Sequence, residues 1–386
     1  MNPISRPVFL LFSLLLLLCS SLMLFPTTNG SRLFPEKITY RGREITDSET
    51  IPLRFSEAPE YRNGFHCPVL ENDDGSMKLL ACNPSAIHIA MTLDSEYLRG
   101  SIASVHSVLL HASCPENIIF HFVASESDSV VNTQFLNRVL HHTFPSLQFK
   151  LYLFKESVVA NLISSSIRQA LNNPLNYARS YLAELLDPCV ERVIYLDSDT
   201  IVVDDIQKLW QVSLTGSRVI GAPEYCHANF QSYFSAEFWS DIEMVSEAFE
   251  GKSPCYFNTG VMVMDLVKWR EGDYTTKIEN WMKIQRERRI YELGSLPPFL
   301  LVFGGEVEGI EHRWNQHGLG GDNVVNNCRS LHPGPVSLLH WSGKGKPWVR
   351  LESKVPCPVD YLWKPYDLYK SYDEHGDQNP KQQIDS

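Results

Sequence analysis

Asp197 and Asp199 stand one residue apart, immediately after Arg192-Val193-Ile194-Tyr195-Leu196, a run whose β-branched and aromatic residues describe a buried strand. Two carboxylates leaving such a strand can direct hard oxygen ligands at one divalent cation, for which Mg²⁺ and Mn²⁺ are the natural choices. A diphosphate would complete the shell. An Asp-x-Asp triplet alone is more often a turn or capping cluster, because aspartate is common in turns. The apolar strand before this one favours metal binding. Asp204-Asp205 follows closely, but it precedes Ile206 to Trp210 and fits a helix N-cap instead.

The second constellation is Leu338-Leu339-His340-Trp341-Ser342-Gly343-Lys344-Gly345-Lys346-Pro347-Trp348. A histidine leaving an apolar strand offers a neutral imidazole to a metal, and the glycine-containing loop after it offers ammonium groups to phosphate oxygens. Each half has an ordinary alternative, a hydrogen-bonded core histidine or a solvated loop. Joined to the distant Asp197 and Asp199, they would form an Asp, Asp, His metal site with a cation beyond it.

The elements that must position these groups begin at Ala86, where strand and helix signals start to alternate. Ile87 to Leu93 reads as a strand, Tyr97 to Leu110 as a helix, and Ile118 to Ser125 as a second strand. A helix near Val130 to His141, a strand from Leu147 to Phe154 and a helix near Tyr177 to Leu186 lead into the strand before Asp197. This order predicts an α/β fold with a Rossmann-like, mostly parallel sheet and helices on both faces. Ligands of such sheets gather at the carboxyl ends of strands.

The chain has 386 residues, 44% apolar and 20% charged, ample for a large core and outside the disordered and low-complexity classes. A net charge of -11 excludes nucleic acid as a partner, since phosphate backbones require a basic surface. One cation, Arg6, precedes an uncharged apolar run from Val8 to Phe25. At roughly 18 residues it overlaps a short transmembrane helix and a long secretory segment. The unbroken Leu14 to Leu18 and the absence of a small-x-small cleavage site favour a signal anchor over 8–25, with 1–7 cytosolic and the rest lumenal. A cleaved signal peptide is the alternative, which would place the protein in the secretory lumen. Residues 26–85 read as stem, 86–370 as a single catalytic domain and 371–386 as a flexible tail.

Cysteine usage agrees with a lumenal placement. Cys19 lies in the apolar run, leaving Cys67, Cys82, Cys114, Cys189, Cys226, Cys255, Cys328 and Cys357 for two to four disulfides of open connectivity. Cys67 and Cys82 would tie the stem to the domain. The single glycosylation triplet is Asn29-Gly30-Ser31.

The ordered set of Asp197-Ser198-Asp199, Tyr256-Phe257-Asn258-Thr259-Gly260-Val261 and His340-Trp341-Ser342-Gly343-x-x-Lys346-Pro347-Trp348 resembles the family 8 retaining glycosyltransferases of GT-A fold. Gly294-Ser295-Leu296-Pro297-Pro298, His312-Arg313-Trp314-Asn315-Gln316-His317-Gly318-Leu319-Gly320 and Trp363-x-Pro365-Tyr366-Asp367 are similar to its plant galacturonosyltransferase-like branch. The likeness covers roughly Ala86 to Lys364. It implies Asp197, Asp199 and His340 as manganese ligands, with Mg²⁺ as a substitute. Asp94 and Tyr97 match positions that hold the uridine base, and Arg179 one that reaches the donor sugar and the acidic motif. Gly343 and Lys346 match the diphosphate loop, while Ser198, Asn258, Thr259 and Gly260 complete the donor site.

Bacterial members carry an Asp-Gln pair at the sugar end of the pocket. The corresponding region here reads Tyr291-Glu292-Leu293-Gly294-Ser295, with Glu292 the candidate substitute. The branch implies transfer of galacturonic acid from UDP-galacturonate to a cell-wall polysaccharide, pectin or xylan, in the Golgi. Arg313 and Arg179 are the candidates for the sugar carboxylate. The alternatives are another UDP-sugar donor, xylose or galactose, and a catalytically silent Golgi partner that assembles with an active transferase.

Overall fold

In the computed structural model the described residues are 54–70, 82–128, 132–165 and 169–370. Their strands in chain order are β1 (Ile87–Leu93), β2 (Ile118–Ser125), β3 (Gln148–Phe154), β4 (Arg192–Leu196), β5 (Thr200–Val202) and β6 (Ile220–Ala222), then β7 (Glu224–Tyr225), β8 (Tyr256–Phe257), β9 (Val261–Asp265), β10 (Glu308–Gly309) and β11 (Leu338–His340). Alternation along β1 explains its place. Ile87, Ile89, Met91 and Leu93 join one core with Ile102, Val105 and Val108 of helix Leu98–His111 and with Leu136, Val139 and Leu140 of helix Thr133–Thr143. The 174–185 segment reaches β1 and β2 without entering that core, so it covers the opposite face.

The central sheet has the order β10-β6-β9-β4-β1-β2-β3. β4, β1, β2 and β3 are mutually parallel, as are β10 and β6. Only β9 runs against both neighbours, β4 and β6. The expected α/β fold with a mostly parallel sheet is therefore present. A small antiparallel pair, β5 with β11, stands beyond the carboxyl end of β4 and holds His340 opposite Thr200.

Two local expectations change. The helix near Tyr177 to Leu186 is a 3₁₀ stretch, Pro174–Tyr181, followed by one α-helical turn, Leu182–Leu185. A three-residue period suits this sequence, because it stacks Leu175, Ala178 and Tyr181, all buried, on one side. The helix expected near Val130 begins at Thr133, where the Asn132 side chain accepts from Phe135 N–H. Asp205 caps helix Ile206–Trp210 as expected, accepting from Gln207 N–H.

All eight cysteines outside the apolar run are paired, as Cys67–Cys114, Cys82–Cys189, Cys226–Cys255 and Cys328–Cys357. Residues 54–58, within the expected stem, pack on the catalytic unit: Phe55 is buried in the main core and Ala58 N–H donates to Thr143 O. The 8–25 run, Cys19, Asn29 and the 371–386 tail lie outside the described residues. Among the described residues no helix is long and apolar enough to cross a membrane.

Candidate active site

The chain leaves β4 through Asp197-Ser198-Asp199 and turns into β5, and three hydrogen bonds set that turn. Asp197 N–H donates to Gly260 O at 2.8 Å, Ser198 Oγ to Thr92 O at 2.8 Å, and Thr200 Oγ1 to Asp197 O at 2.8 Å. The β5–β11 pairing then carries His340 to the acids. Its Nε2 lies 3.1 Å from Asp199 Oδ1 and 3.7 Å from Asp197 Oδ2. Candidate ligand atoms of the three residues all fall within 4.8 Å of one another.

The tautomer of His340 follows from its neighbours. Asn258 Oδ1 accepts from Gly260 N–H at 2.9 Å and from Asn315 Nδ2 at 3.2 Å. Asn315 therefore turns its amide oxygen to His340 Nδ1, 3.0 Å away, which must be the protonated nitrogen of the neutral ring. That leaves the Nε2 lone pair facing two carboxylates. Despite its proximity to Asp199, Nε2 is not aligned for a hydrogen bond, and this buried atom has no such partner among the described residues. A lone pair and two carboxylates converging in a buried place repel one another unless a cation lies between them. The donor set, one imidazole nitrogen and hard carboxylate oxygens, fits a divalent metal.

Each acid also meets a fixed cation. Arg179 Nη2 is 2.9 Å from Asp197 Oδ1, while its Nη1 donates to Thr259 O at 2.9 Å and Thr259 Oγ1 at 3.1 Å. Tyr195 OH donates to the same Asp197 oxygen at 2.9 Å and lends its ring face to the guanidinium, 4.7 Å from the centroid. Lys346 Nζ reaches Asp199 Oδ2 at 2.5 Å and Trp341 O at 2.8 Å. Burial works to raise the Asp199 carboxyl, but the Lys346 ammonium beside it holds it well below the usual carboxylate range.

These groups open on a cavity of about 800 Å³, within the size range of small-molecule sites. Asp94, Tyr97, Ser198, Asn258, Thr259 and Gly343 line it together with Arg179 and Lys346. Asp94 Oδ1 accepts from Tyr97 N–H at 2.8 Å, and burial pushes the Asp94 carboxyl up. The Tyr97 ring stands edge-on to Trp348 at 5.8 Å, with Lys346 Nζ 5.4 Å from its centroid. Gly343 has φ +107°, and a Cβ there would lie 2.3 Å from Gly321 O.

Three expectations need correction. Gly260 does not line the cavity. It lies beneath the metal-type group, where a Cβ would fall 2.3 Å from His340 Cε1 and 2.5 Å from Asp197 Oδ2. Arg313 is held by Asp204 Oδ2 at 2.9 Å and by Ser337 Oγ, away from the lining, because Asp204 is a partly buried carboxylate that needs partners. Glu292 pairs with Arg289 at the surface, and Leu293, Gly294 and Ser295 line the cavity in its place.

Sequence reasoning missed Tyr225, Tyr256, Asn315, His317 and Arg329. Asn315 and His317 lie in the segment singled out by resemblance, where consecutive polar side chains after Trp314 carry no periodicity that tells the functional ones from the rest. Tyr225 sits in a two-residue strand that leaves no periodicity to find.

The family model described as glycosyl transferase family 8 matches residues 88–352. The chain is 63% identical over 361 residues to "Probable galacturonosyltransferase-like 10" of Arabidopsis thaliana, covering 93% of this chain and 94% of that protein. It is 64% identical over 341 residues to "Probable galacturonosyltransferase-like 9" of the same plant, covering 88% and 86%. Among solved structures, the galactosyltransferase LgtC in complex with donor and acceptor sugar analogues matches with TM-score 0.56 at 20% identity, over 73% of this chain and 95% of that one. At such identity the likeness is one of fold.

Proposed function

Because the chain belongs to glycosyl transferase family 8, in its plant galacturonosyltransferase-like branch, we propose that this glycosyltransferase moves galacturonic acid from UDP-galacturonate onto a cell-wall polysaccharide, pectin or xylan, with retention of configuration. The observation that carries the reading is the unpartnered Nε2 of fully buried His340, aimed at Asp197 and Asp199 on the wall of the cavity.

Asp197, Asp199 and His340 hold the divalent ion, Mn²⁺ with Mg²⁺ as a substitute. When bound, it serves as a Lewis acid toward the diphosphate. Lys346 supplies a second positive charge to the leaving phosphate, and the backbone at Gly343 comes close because no Cβ intervenes. Asp94 accepts a hydrogen bond from the uracil and the Tyr97 ring packs on it. Arg179, fixed by Thr259 and Asp197, donates to the sugar, whose pocket Asn258, Thr259 and Ser198 help to shape; Gly260 acts from below by letting His340 and Asp197 approach.

Retention requires either an enzyme nucleophile or a front-face route in which the leaving phosphate oxygen takes the acceptor's proton. Among the described residues the lining carboxylates are Asp94, Asp197, Asp199 and Asp322. Asp94 and Asp322 accept from backbone N–H groups, and Asp197 and Asp199 are ion-paired. With each acid so engaged, the front-face route is preferred.

The reading extends to place. The 8–25 run anchors the protein in the Golgi membrane as a single-pass type II protein, and the four disulfides suit the oxidising lumen. Other Golgi transferases are partners there. The test incubates the purified full chain with Mn²⁺, a panel of UDP-sugars and wall oligosaccharides, and reads UDP release and product mass. Galacturonate transfer is expected. Turnover of UDP-xylose or UDP-galactose instead replaces the donor, donor binding without turnover against any acceptor makes it a silent partner, and no Mn²⁺-dependent binding of any UDP-sugar overturns the reading.

A further inference from the structure

One wall of the cavity is built of imidazoles and a guanidinium that the roles above leave without a task. The Tyr225 ring lies stacked between His312 at 4.6 Å and His317 at 4.4 Å. His332 stands edge-on to His317 at 5.3 Å, and His227 edge-on to Tyr225 at 6.2 Å. All of these line the cavity, as does Arg329. Nη1 of Arg329 is 3.3 Å from the place a Cβ on Gly318 would take, so the absence of a side chain there lets the guanidinium lie against that turn. Arg329 makes no hydrogen bond or ion pair with any described residue, whereas Arg179 is committed to Asp197 and Thr259 and Arg313 to Asp204.

The wall is short of negative charge in a chain whose net charge is -11. Asp322 is an acid whose charge interacts with Arg329, and its Oδ1 already accepts from Val324 N–H at 2.7 Å and from Val325 N–H. His317 adds a buried Nδ1 with no hydrogen-bond partner among the described residues. The segment is also held in place: Cys328 is bonded to Cys357, and His332 N–H donates to Gln316 Oε1 at 2.7 Å. A fixed wall with an uncommitted fork of N–H donors, neighbouring imidazoles and a tyrosine platform suits a planar anion carried on a sugar ring. A carboxylate matches the guanidinium in a bidentate way.

We propose that Arg329, with His317 and His332 beside it, is the subsite for the carboxylate of a hexuronate, either on the donor sugar or on the terminal residue of the acceptor. The proposal rests on the reading that this cavity takes a UDP-sugar. It assigns sugar selectivity to a side chain outside the metal and diphosphate groups.

The test is calorimetric titration of the full chain with Mn²⁺ present, comparing UDP-galacturonate with UDP-galactose, which differ only by carboxylate against hydroxymethyl. A second arm compares an oligogalacturonide with its methyl ester. Arg329→Gln is expected to lower the acid-over-neutral affinity ratio about 10- to 100-fold in one arm, the scale of hydrogen bonds to a charged group. Arg329→Lys should restore part of it, since the charge returns without the fork. A fall in the first arm identifies the donor as the source, and a fall in the second the acceptor. Because Arg329 is exposed and unbonded, the melting temperature should not move. Unchanged ratios in both arms, for Arg329→Gln and for His332→Gln, overturn the subsite while leaving transfer itself intact. Failure of the unmodified chain to bind any UDP-sugar overturns the underlying reading first.

Discussion

Gly260→Ala tests the site at its narrowest point. The added methyl carbon would stand 2.3 Å from His340 Cε1 and 2.5 Å from Asp197 Oδ2, where non-bonded carbon contacts need about 3.5–4 Å. More than 1 Å of separation must therefore be found on the His340 side. His340 cannot retreat easily: its Nδ1 is held by Asn315 and its N–H donates to Gln316 O at 3.1 Å. Asp197 is held in turn by Arg179 and Tyr195. Relief of the overlap must then rotate the two side chains apart, whereas metal–ligand distances tolerate only about 0.2 Å. Loss of one ligand's alignment should weaken Mn²⁺-supported UDP binding about 100-fold, or about 2.7 kcal/mol. The fold itself should lose only about 1–3 kcal/mol, the usual cost of overpacking. Titration of UDP with and without Mn²⁺, beside a melting curve, measures both. A variant that keeps wild-type Mn²⁺-dependent affinity refutes the claim that Gly260 exists to let His340 and Asp197 converge.

Two other outcomes follow, one at the metal-type group and one away from it. Lys346→Met removes the ammonium that neutralises Asp199, so affinity for Mn²⁺ alone should rise while Mn²⁺-dependent affinity for UDP falls about tenfold; parallel losses in both titrations would contradict the two-sided role given to Lys346. On the sheet's other face, His88 Nδ1 is 2.9 Å from His121 Nε2, and burial lowers His88 to about 4 and His121 well below 6.5. The unfolded chain binds these protons near pH 6.5 and the folded chain does not. Stability should therefore fall between pH 6.5 and about 4, by up to about 1.4 kcal/mol per pH unit for each imidazole. Denaturant unfolding of His88→Gln at pH 6.5 and 4.5 should show a shallower loss than the unmodified chain, and an equal slope removes His88 from the account.

The metal-type group was legible in the sequence because both halves carry strand signals with a chemical residue at the carboxyl end: Leu196 before Asp197, and Leu338-Leu339 before His340. What joined them was not legible. It is a three-residue antiparallel pairing of β5 with β11, too short to announce itself and dependent on register set by tertiary contacts. Arg313 and Glu292 failed for the same reason in reverse. Their charge suggested chemistry, but Asp204 and Arg289 lay within reach, and a nearby opposite charge takes a side chain before a distant substrate does. The 3₁₀ stretch that carries Arg179 was misread as a helix because Leu175, Ala178 and Tyr181 satisfy either period over so few turns.

The two ion pairs also account for why metal and nucleotide should bind together. Asp197 with Arg179 and Asp199 with Lys346 leave the group near neutral in charge. A divalent ion alone would have to displace Lys346 from Asp199 and leave the site with excess positive charge. A diphosphate alone would bring negative charge beside two ionised acids at low effective dielectric, which costs more there than in water. Arriving together, the two charges cancel, and Lys346 can exchange the carboxylate for a phosphate oxygen over a short distance while Arg179 stays fixed by Thr259. Such mutual support is reciprocal by thermodynamic necessity: whatever factor UDP adds to Mn²⁺ affinity, Mn²⁺ adds to UDP affinity. The exchange of Lys346 is what makes the coupling large, so Lys346→Met should shrink the one factor that both titrations share, and a shared factor that keeps its wild-type value would mean that another group carries the charge exchange.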